Sequence, residues 1–415
     1  MNDKNRSRKK QRITYIATDE GIERADKALQ RNFGSRINFC KAIKTPSRST
    51  INKFLAQKPI EFDKFKEICS ALGLSDWQTI AGINTDDWNS NTQRPAIYIK
   101  ADPELGKKLF RPSIPKEWMQ RTLYLGDGGQ DWLSIAKMPN YISDADINQI
   151  LGKIRKIIQE STNVQTFISM GPGDAEIDSE IVYNLPHKEL RYIPVDISTD
   201  ILHYAFDKIK NFAFIPFVIQ GDFEGGFEFI RKTLEVYSEV DSLTLVGLFG
   251  NTLGNLDKNE KVFLDRILTI LNPGDYVLLD VSIANENYII EADERGKPGS
   301  HFDEMRRFYA GGVMRQTDSI TSREAVLKDY EKRIRCEYRN GYTISDVPKT
   351  QSIDIYDTGK DNNVKIKIVS LRRYHWDSFK EWLVDDFKLQ VVEEEECFFG
   401  DTNLGSGMVL LQVIE

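Results

Sequence analysis

Cysteine and histidine are both scarce in this chain of 415 residues, which holds four of each. Cys40, Cys69, Cys336 and Cys397 are widely scattered and lack metal-site spacing, so they are expected as reduced, buried thiols. His187, His203, His301 and His375 include no pair at i, i+4, which argues against a zinc or di-iron centre; no metal is expected. No apolar run approaches the roughly 18 residues a membrane helix needs, and the N-terminus is polar and basic with no apolar signal core. A cytoplasmic location is the expectation. No internal repeat or low-complexity segment stands out.

What is present is unevenly distributed. Residues 1–82 carry 17 Lys and Arg against 9 Asp and Glu, a surplus of +8. With −7 over the whole chain, the remainder carries −15. A basic head on an acidic body means that only the head could meet a polyanion. Within it the apolar residues fall at helical spacing in short pieces (Ile22, Ala25, Leu29; Ile37, Phe39, Ile43; Ile51, Phe54, Leu55; Phe62, Phe65, Ile68, Leu72), and Ser47 is placed to cap the third. Residues 83–98 are polar, without apolar period, and read as a linker. A mixed stretch over 99–163 ends in a helix expected from Asp144 to Glu160.

The most informative stretch comes next. Phe167-Ile168-Ser169-Met170-Gly171-Pro172-Gly173-Asp174 is an apolar strand running into Gly-x-Gly. Arg191 to Asp196 is a second buried strand ending in a carboxylate, and Phe214 to Asp222 a third, followed by Phe223. Thr244 to Gly250 and Tyr276 to Val281 complete five strands with helical patterns between them, the last helix expected over Lys258 to Leu271. Strand and helix alternating at such intervals predict an α/β fold with a parallel sheet and ligand groups at the strand ends, over residues 164–283. Residues 284–370 are charged and less regular, with a strand expected from Val364 to Ser370; 371–415 read as a helix, Trp376 to Phe387, and a closing hairpin.

Backbone at Gly171 and Gly173 can approach a ligand closely, and the helix N-terminus beyond favours an anion there. Asp196 can accept both hydroxyls of a ribose, and Asp222 with Phe223 offers an acceptor and an apolar plate to an adenine. A nicotinamide dinucleotide would require a third glycine where Glu176 stands. S-adenosylmethionine, with a sulfonium and an ammonium, suits the acidic neighbours Asp174 and Glu176 better. Each residue also has a plain reading as turn, cap or strand-end carboxylate.

Gly250-Asn251-Thr252-Leu253-Gly254-Asn255-Leu256, with Val195-Asp196 and Gly221-Asp222-Phe223 before it and Pro273-Gly274-Asp275 after, resembles the histidine-specific S-adenosylmethionine methyltransferase family. The resemblance covers residues 114 to 283, and more weakly 284 to 415. It implies a Rossmann-like class I methyltransferase sheet with an additional substrate-binding subdomain. It further implies that Gly171, Gly173, Asp196, Asp222, Phe223, Gly250 and Thr252 hold the cofactor, that Asn255 and Tyr141 bind the carboxylate of an amino-acid substrate, and that Tyr124 orients its amine. The sequence departs from the family at Ser169, where an acidic residue is usual, and at Ile177, where a lysine is. The glutamate that grips an imidazole falls at Ile368, while its partner serine remains as Ser370. An isoleucine cannot accept an imidazole proton, so the resemblance implies a small-molecule amine other than histidine as acceptor.

Arg48-Ser49-Thr50-Ile51-Asn52-Lys53 resembles the recognition helix of phage-repressor-type helix-turn-helix modules. That implies a small all-α domain whose Arg48, Ser49, Thr50 and Lys53 would face DNA, with Arg8, Lys9 and Lys10 adding phosphate contacts. The competing reading of this head is protein contact. For the whole chain two alternatives stay open: a regulator sensing S-adenosylmethionine or an amino acid on a catalytically reduced fold, and a methyltransferase acting on nucleic acid or protein. Against the latter, no Asn-Pro-Pro-Tyr or Asp-Pro-Pro-Tyr signature occurs.

Overall fold

The computed structural model describes residues 14–15, 17, 19–43, 45–58, 60–74, 80, 97–100, 120–138, 144–158, 163–185, 190–213, 215, 217–225, 227–237, 243–257, 259–285, 303–316, 322–340, 345–359, 365–399 and 403–414. Tail residues Arg8, Lys9 and Lys10, most of the expected linker and Tyr141 lie outside them. The chain forms two compact units, one of residues 1–89 with 98–100, the other of the rest.

In the first unit, helices α1 (Asp19–Phe33), α2 (Arg36–Ala42), α3 (Arg48–Leu55) and α4 (Phe62–Ala71) pack around Phe39, Ile51, Phe54, Phe65 and Ile68, all essentially inaccessible. Phe54 and Phe65 meet edge to face at 5.1 Å. Ser35 and Ser47 cap α2 and α3, their hydroxyls accepting from Asn38 N and Thr50 N, so each helix starts where a side chain satisfies an orphan donor. A two-residue pairing of β1 (Thr14–Tyr15) with β2 (Ile60–Glu61) closes the unit. The sequence continues through β3 (Ile97–Lys100).

The second unit is built on a sheet whose strands β4 (Val164–Met170), β5 (Arg191–Asp196), β6 (Phe217–Gln220), β7 (Leu243–Leu248), β8 (Tyr276–Ala284), β12 (Leu389–Phe398) and β13 (Leu404–Val413) lie in the order 12-13-8-7-4-5-6. The five strands from β4 to β8 are parallel, and β13 enters antiparallel between β8 and β12. Between them run α7 (Glu176–Asn184), α8 (Thr199–Ile209), α9 (Phe227–Tyr237) and α10 (Glu260–Leu268), with α14 (Trp376–Phe387) before the closing hairpin. β4, β5 and β7 are buried nearly throughout, as strands covered on both faces must be. Strand order turns back between β4 and β7, and a crevice for a ligand opens at the carboxyl ends there.

Two elements precede this sheet, α5 (Gly128–Ala136) and α6 (Asp144–Ile158), the former after a 3-10 turn at Gln120–Tyr124. The α6 helix is described as far as Ile158; the last two residues of the expected span, Gln159 and Glu160, lie outside the described residues. The α10 helix starts at Glu260, where Asn259 accepts from Val262 N and caps it, and it ends at Leu268, short of the expected Leu271.

Residues 303–373 form a subdomain of α11 (Asp303–Gln316), α12 (Arg323–Lys328), α13 (Tyr330–Arg333) and an antiparallel sheet of β9 (Ile334–Asn340), β10 (Gln351–Asp357) and β11 (Ile366–Arg373), with β10 central. Sequence reading expected little regular structure before 360. The central strand, Gln-Ser-Ile-Asp-Ile-Tyr-Asp, is buried at all seven positions and carries four polar residues, so its burial left no apolar alternation to read. Its two carboxylates are answered by neighbouring segments: Arg333, at the end of α13, pairs with Asp357 through Nε at 2.9 Å and Nη2 at 2.7 Å, and Ser370 Oγ of β11 donates to Asp354 at 2.6 Å. The end of β11 is stitched to β8, Tyr374 N donating to Ser282 O and Ala284 N to Tyr374 O.

Candidate cofactor and acceptor site

Four strand ends meet at the crevice. After β4 the chain turns through Gly171 and Gly173, with φ of 75° and 56°, a region where a side chain is strained. A Cβ on Gly171 would stand 3.2 Å from Thr252 Oγ1 and 3.9 Å from the ring of Phe223, and one on Gly173 would be 3.7 Å from Trp132 Nε1. The glycine turn, the Thr252 turn, Phe223 and Trp132 therefore enclose one space.

At the end of β5 lies Asp196, 6% exposed, its Oδ1 accepting from Ser198 N at 2.7 Å while Ser198, not Asp196, caps α8. Burial pushes its carboxyl up to about 7 against the backbone donors of Ser198 and Ile197 that favour the charge. Asp222 repeats the arrangement after β6, accepting from Glu224 N at 2.9 Å. Phe223 follows, its ring 5.7 Å from Phe263.

The fourth strand end is the most heavily tied. Gly250 N donates to the buried Asp280 Oδ2 of β8 at 2.9 Å, and Asp280 Oδ1 accepts from Ser406 Oγ. Gly250 and Asn251 both have positive φ, 61° and 62°. Asn251 is the knot: its Oδ1 accepts from Ser282 N at 2.9 Å, and its Nδ2 donates to Arg372 O at 3.2 Å and to Asn255 Oδ1 at 3.1 Å. Gly254 is required beside it, since a Cβ there would come within 2.4 Å of Asn251 Oδ1. With its oxygen taken, Asn255 presents its Nδ2 as a donor. Thr252 Oγ1 donates to Phe249 O at 2.7 Å.

Tyr124 stands in an aromatic group, 5.9 Å from Trp132 and 5.5 Å from Phe308 of α11, ring centre to ring centre. Arg323 of α12 fixes α5 in this position by reaching Asp127 at 2.6 Å and Asp131 at 3.0 Å. Ile368 lies fully buried in the same apolar cluster, with Leu123, Phe308 and Val369. Ser370 is close by in the fold, its backbone N donating to Gln120 Oε1 at 2.9 Å. Gln120 N in turn donates to Asp257 Oδ1, and Asp257 N to Glu224 Oε2, so a buried polar chain joins the β6 loop, the β7 loop and β11.

The expected residues Gly171, Phe223 and Thr252 are thus brought together, with Gly173, Asp196, Asp222 and Gly250 on neighbouring strand ends; Asn255 follows in the Thr252 turn. Trp132, Asn251 and Gln120 were missed. Nothing local in the sequence marks Trp132 as a neighbour of Gly173. No group of three or more His, Cys, Asp or Glu able to hold a metal occurs among the described residues. No described helix is long and apolar enough to cross a membrane.

Residues 105–294 match the family model described as "Histidine-specific methyltransferase, SAM-dependent", a span that takes in the glycine turn, both strand-end aspartates and the Asn251 knot. No curated protein matches the chain. Among solved structures, an S-adenosylmethionine-dependent methyltransferase from Clostridium acetobutylicum is similar at 11% identity, with 69% of this chain and 92% of that one covered and a TM-score of 0.34. The N-methyltransferase NodS of Bradyrhizobium japonicum is similar at 8% identity, covering 71% of this chain and 100% of that one, with a TM-score of 0.36. The sugar N-methyltransferase KedS8 of a Streptoalloteichus species shares 13% identity over 64% of this chain and 87% of its own, with a TM-score of 0.30.

The fold is α/β with a mostly parallel central sheet, and the family model that matches residues 105–294 is one of S-adenosylmethionine-dependent methyltransferases. The residues present fit that cofactor, S-adenosylmethionine: a backbone cradle free of side chains at Gly171, a carboxylate at Asp196 for ribose hydroxyls, and Asp222 with Phe223 for the base.

Proposed function

We propose that the protein methylates the amine of an amino acid or related small molecule whose side chain is apolar or aromatic, and not histidine. The observation that carries this is Asn255, whose oxygen is occupied by Asn251 so that the amide nitrogen is left to donate to a carboxylate at the crevice. Tyr124, beside Trp132 and Phe308, is the candidate to orient the acceptor amine. Ile368, fully buried among apolar neighbours, supports an acceptor side chain without an imidazole. Tyr141 and Ser370 complete the expected substrate contacts; the Ser370 hydroxyl is engaged by Asp354 and would act with it.

Bound S-adenosylmethionine supplies an electrophilic methyl group on sulfur. The work of this chain is then to align acceptor nitrogen and methyl carbon about 3–3.5 Å apart and to hold the amine unprotonated. Incubation with labelled cofactor and separate pools of amino acids, peptides, DNA and RNA tests this. Label in the amino-acid pool, lost on Asn255→Ala with cofactor binding intact, is expected. Label only in nucleic acid or peptide refutes it, and tight cofactor binding with no labelled pool favours the sensor.

A second reading concerns the N-terminal unit. Arg48, Ser49, Asn52 and Lys53 are exposed along α3 while Ile51 and Phe54 face the core, and Thr50 bonds Ser47 Oγ at 3.0 Å. This polar, basic face supports DNA contact through Arg48, Ser49, Thr50 and Lys53. Retention on DNA that falls with salt and is lost in Arg48→Ala/Lys53→Ala is expected; retention unchanged by that variant refutes it.

A further inference from the structure

The family resemblance leaves the glycine turn short of a carboxylate at Ser169, yet a carboxylate stands beside Ser169 in the fold. Asp178, the third residue of α7, is completely buried next to the end of β4. Its Oδ2 accepts the hydroxyl of Tyr192, which projects from β5. Its Oδ1 has no hydrogen-bond partner, nor has Oγ of Ser169, itself fully buried two residues before Gly171. The Ser169 hydroxyl is nevertheless near enough to favour the ionised carboxyl. Asp174 from the turn opposes that ionisation and Lys208 from α8 assists it, but Lys208 is held by Glu176 and by the carbonyl of Asp174 at 3.2 Å. A Tyr192 hydroxyl could be satisfied by an amide or a hydroxyl, whereas a buried carboxylate costs free energy unless a cation is near.

We propose that Asp178 is the anionic counterpart of the cofactor's ammonium group, a positioning residue whose charge acts through Ser169 and the glycine turn and replaces from α7 the carboxylate that β4 lacks. This rests on the S-adenosylmethionine reading of the site. It separates the two buried aspartates by the part of the cofactor each serves: Asp196 the ribose, Asp178 the amino-acid end. Because burial raises both carboxyls to about 7, ligand-linked proton release is expected from both near neutral pH. Only the Asp178 contribution depends on the ligand's ammonium.

The test titrates the full chain with S-adenosylhomocysteine and, by competition, with 5′-methylthioadenosine, which has the same adenosine thioether without the amino acid. Wild type, Asp178→Asn and Asp196→Asn are compared from pH 6 to 8.5. Asp178→Asn is expected to weaken S-adenosylhomocysteine by about tenfold above pH 7 and methylthioadenosine by less than about twofold. The ratio of the two affinities should rise with pH through about 7 in wild type and be flat in Asp178→Asn. Asp196→Asn should weaken both ligands alike. Equal losses for both ligands in Asp178→Asn, or an unchanged ratio, would overturn the proposal and leave Asp178 a structural group. If wild type binds neither ligand, the cofactor reading itself fails. Should Asp178→Asn not fold, Ser169→Ala carries the test, with the same selective loss for S-adenosylhomocysteine expected and equal losses overturning it.

Discussion

Asn251→Ala is the substitution with the most consequences per atom removed. Asn251 is 7% exposed and bridges three segments: β8 through Ser282 N, β11 through Arg372 O, and its own turn through Asn255. Alanine leaves Ser282 N and Arg372 O buried without that partner, at roughly 1–3 kcal/mol for each group. It also places a Cβ-bearing residue with no local hydrogen bond at φ 62°, adding about 1 kcal/mol. The expected loss is therefore about 3–7 kcal/mol, or a fall in melting temperature on the order of 5–15 °C. Asn251→Gly removes the same hydrogen bonds without the φ strain and should recover about 1 kcal/mol of the loss. Thermal denaturation followed by circular dichroism measures both. The acceptor site should suffer too, since Asn255 loses the bond that orients its amide, while affinity for S-adenosylhomocysteine stays within about twofold because Gly171, Asp196 and Asp222 are untouched. A melting temperature within 2 °C of wild type, on the scale of about 1 kcal/mol or less, would refute the reasoning.

Three other outcomes are expected. Gly171→Ala must accommodate a Cβ at φ 75° and 3.2 Å from Thr252 Oγ1, so S-adenosylhomocysteine affinity, read by calorimetry, should fall about tenfold or more; retained affinity would show that the turn is not the cradle. Stability without ligand should fall as pH rises from 4 to 7, because Asp178 and Asp196 go from about 3.8 unfolded to about 7 folded and the native state binds the extra protons there; the loss, on the order of 3–4 kcal/mol per group, should halve in Asp178→Asn when followed by urea unfolding against pH. Arg333→Ala strands Asp357, 1% exposed, without its bidentate partner, and should destabilise the subdomain by about 3–5 kcal/mol; a loss below about 1 kcal/mol in chemical denaturation would refute this.

Much of the central sheet was readable because its signals are local. In a parallel sheet each buried strand is a run of apolar residues, each turn after it carries glycine or aspartate, and ligand groups collect at the carboxyl ends. Gly171, Asp196, Asp222 and Gly250 obey that rule one strand at a time, so the positions followed from spacing alone. The capped start of α3 at Ser47 was equally local, and so was the helix Trp376–Phe387. The subdomain was not legible, since β10 is polar in sequence and buried in space, its Asp354 and Asp357 answered by Ser370 and Arg333 from other strands and segments.

By itself, then, the sequence determined the parallel α/β core, the class of cofactor and the order of the strand-end residues along the chain, because each depends on a residue and its immediate neighbours. Only the tertiary structure decided that Trp132 closes against Gly173, that Asn251 aims Asn255, and that Asp178 stands beside Ser169. The reason is physical: a side chain's role there is set by partners on other strands and helices, at distances of a few ångströms that no spacing along the chain encodes.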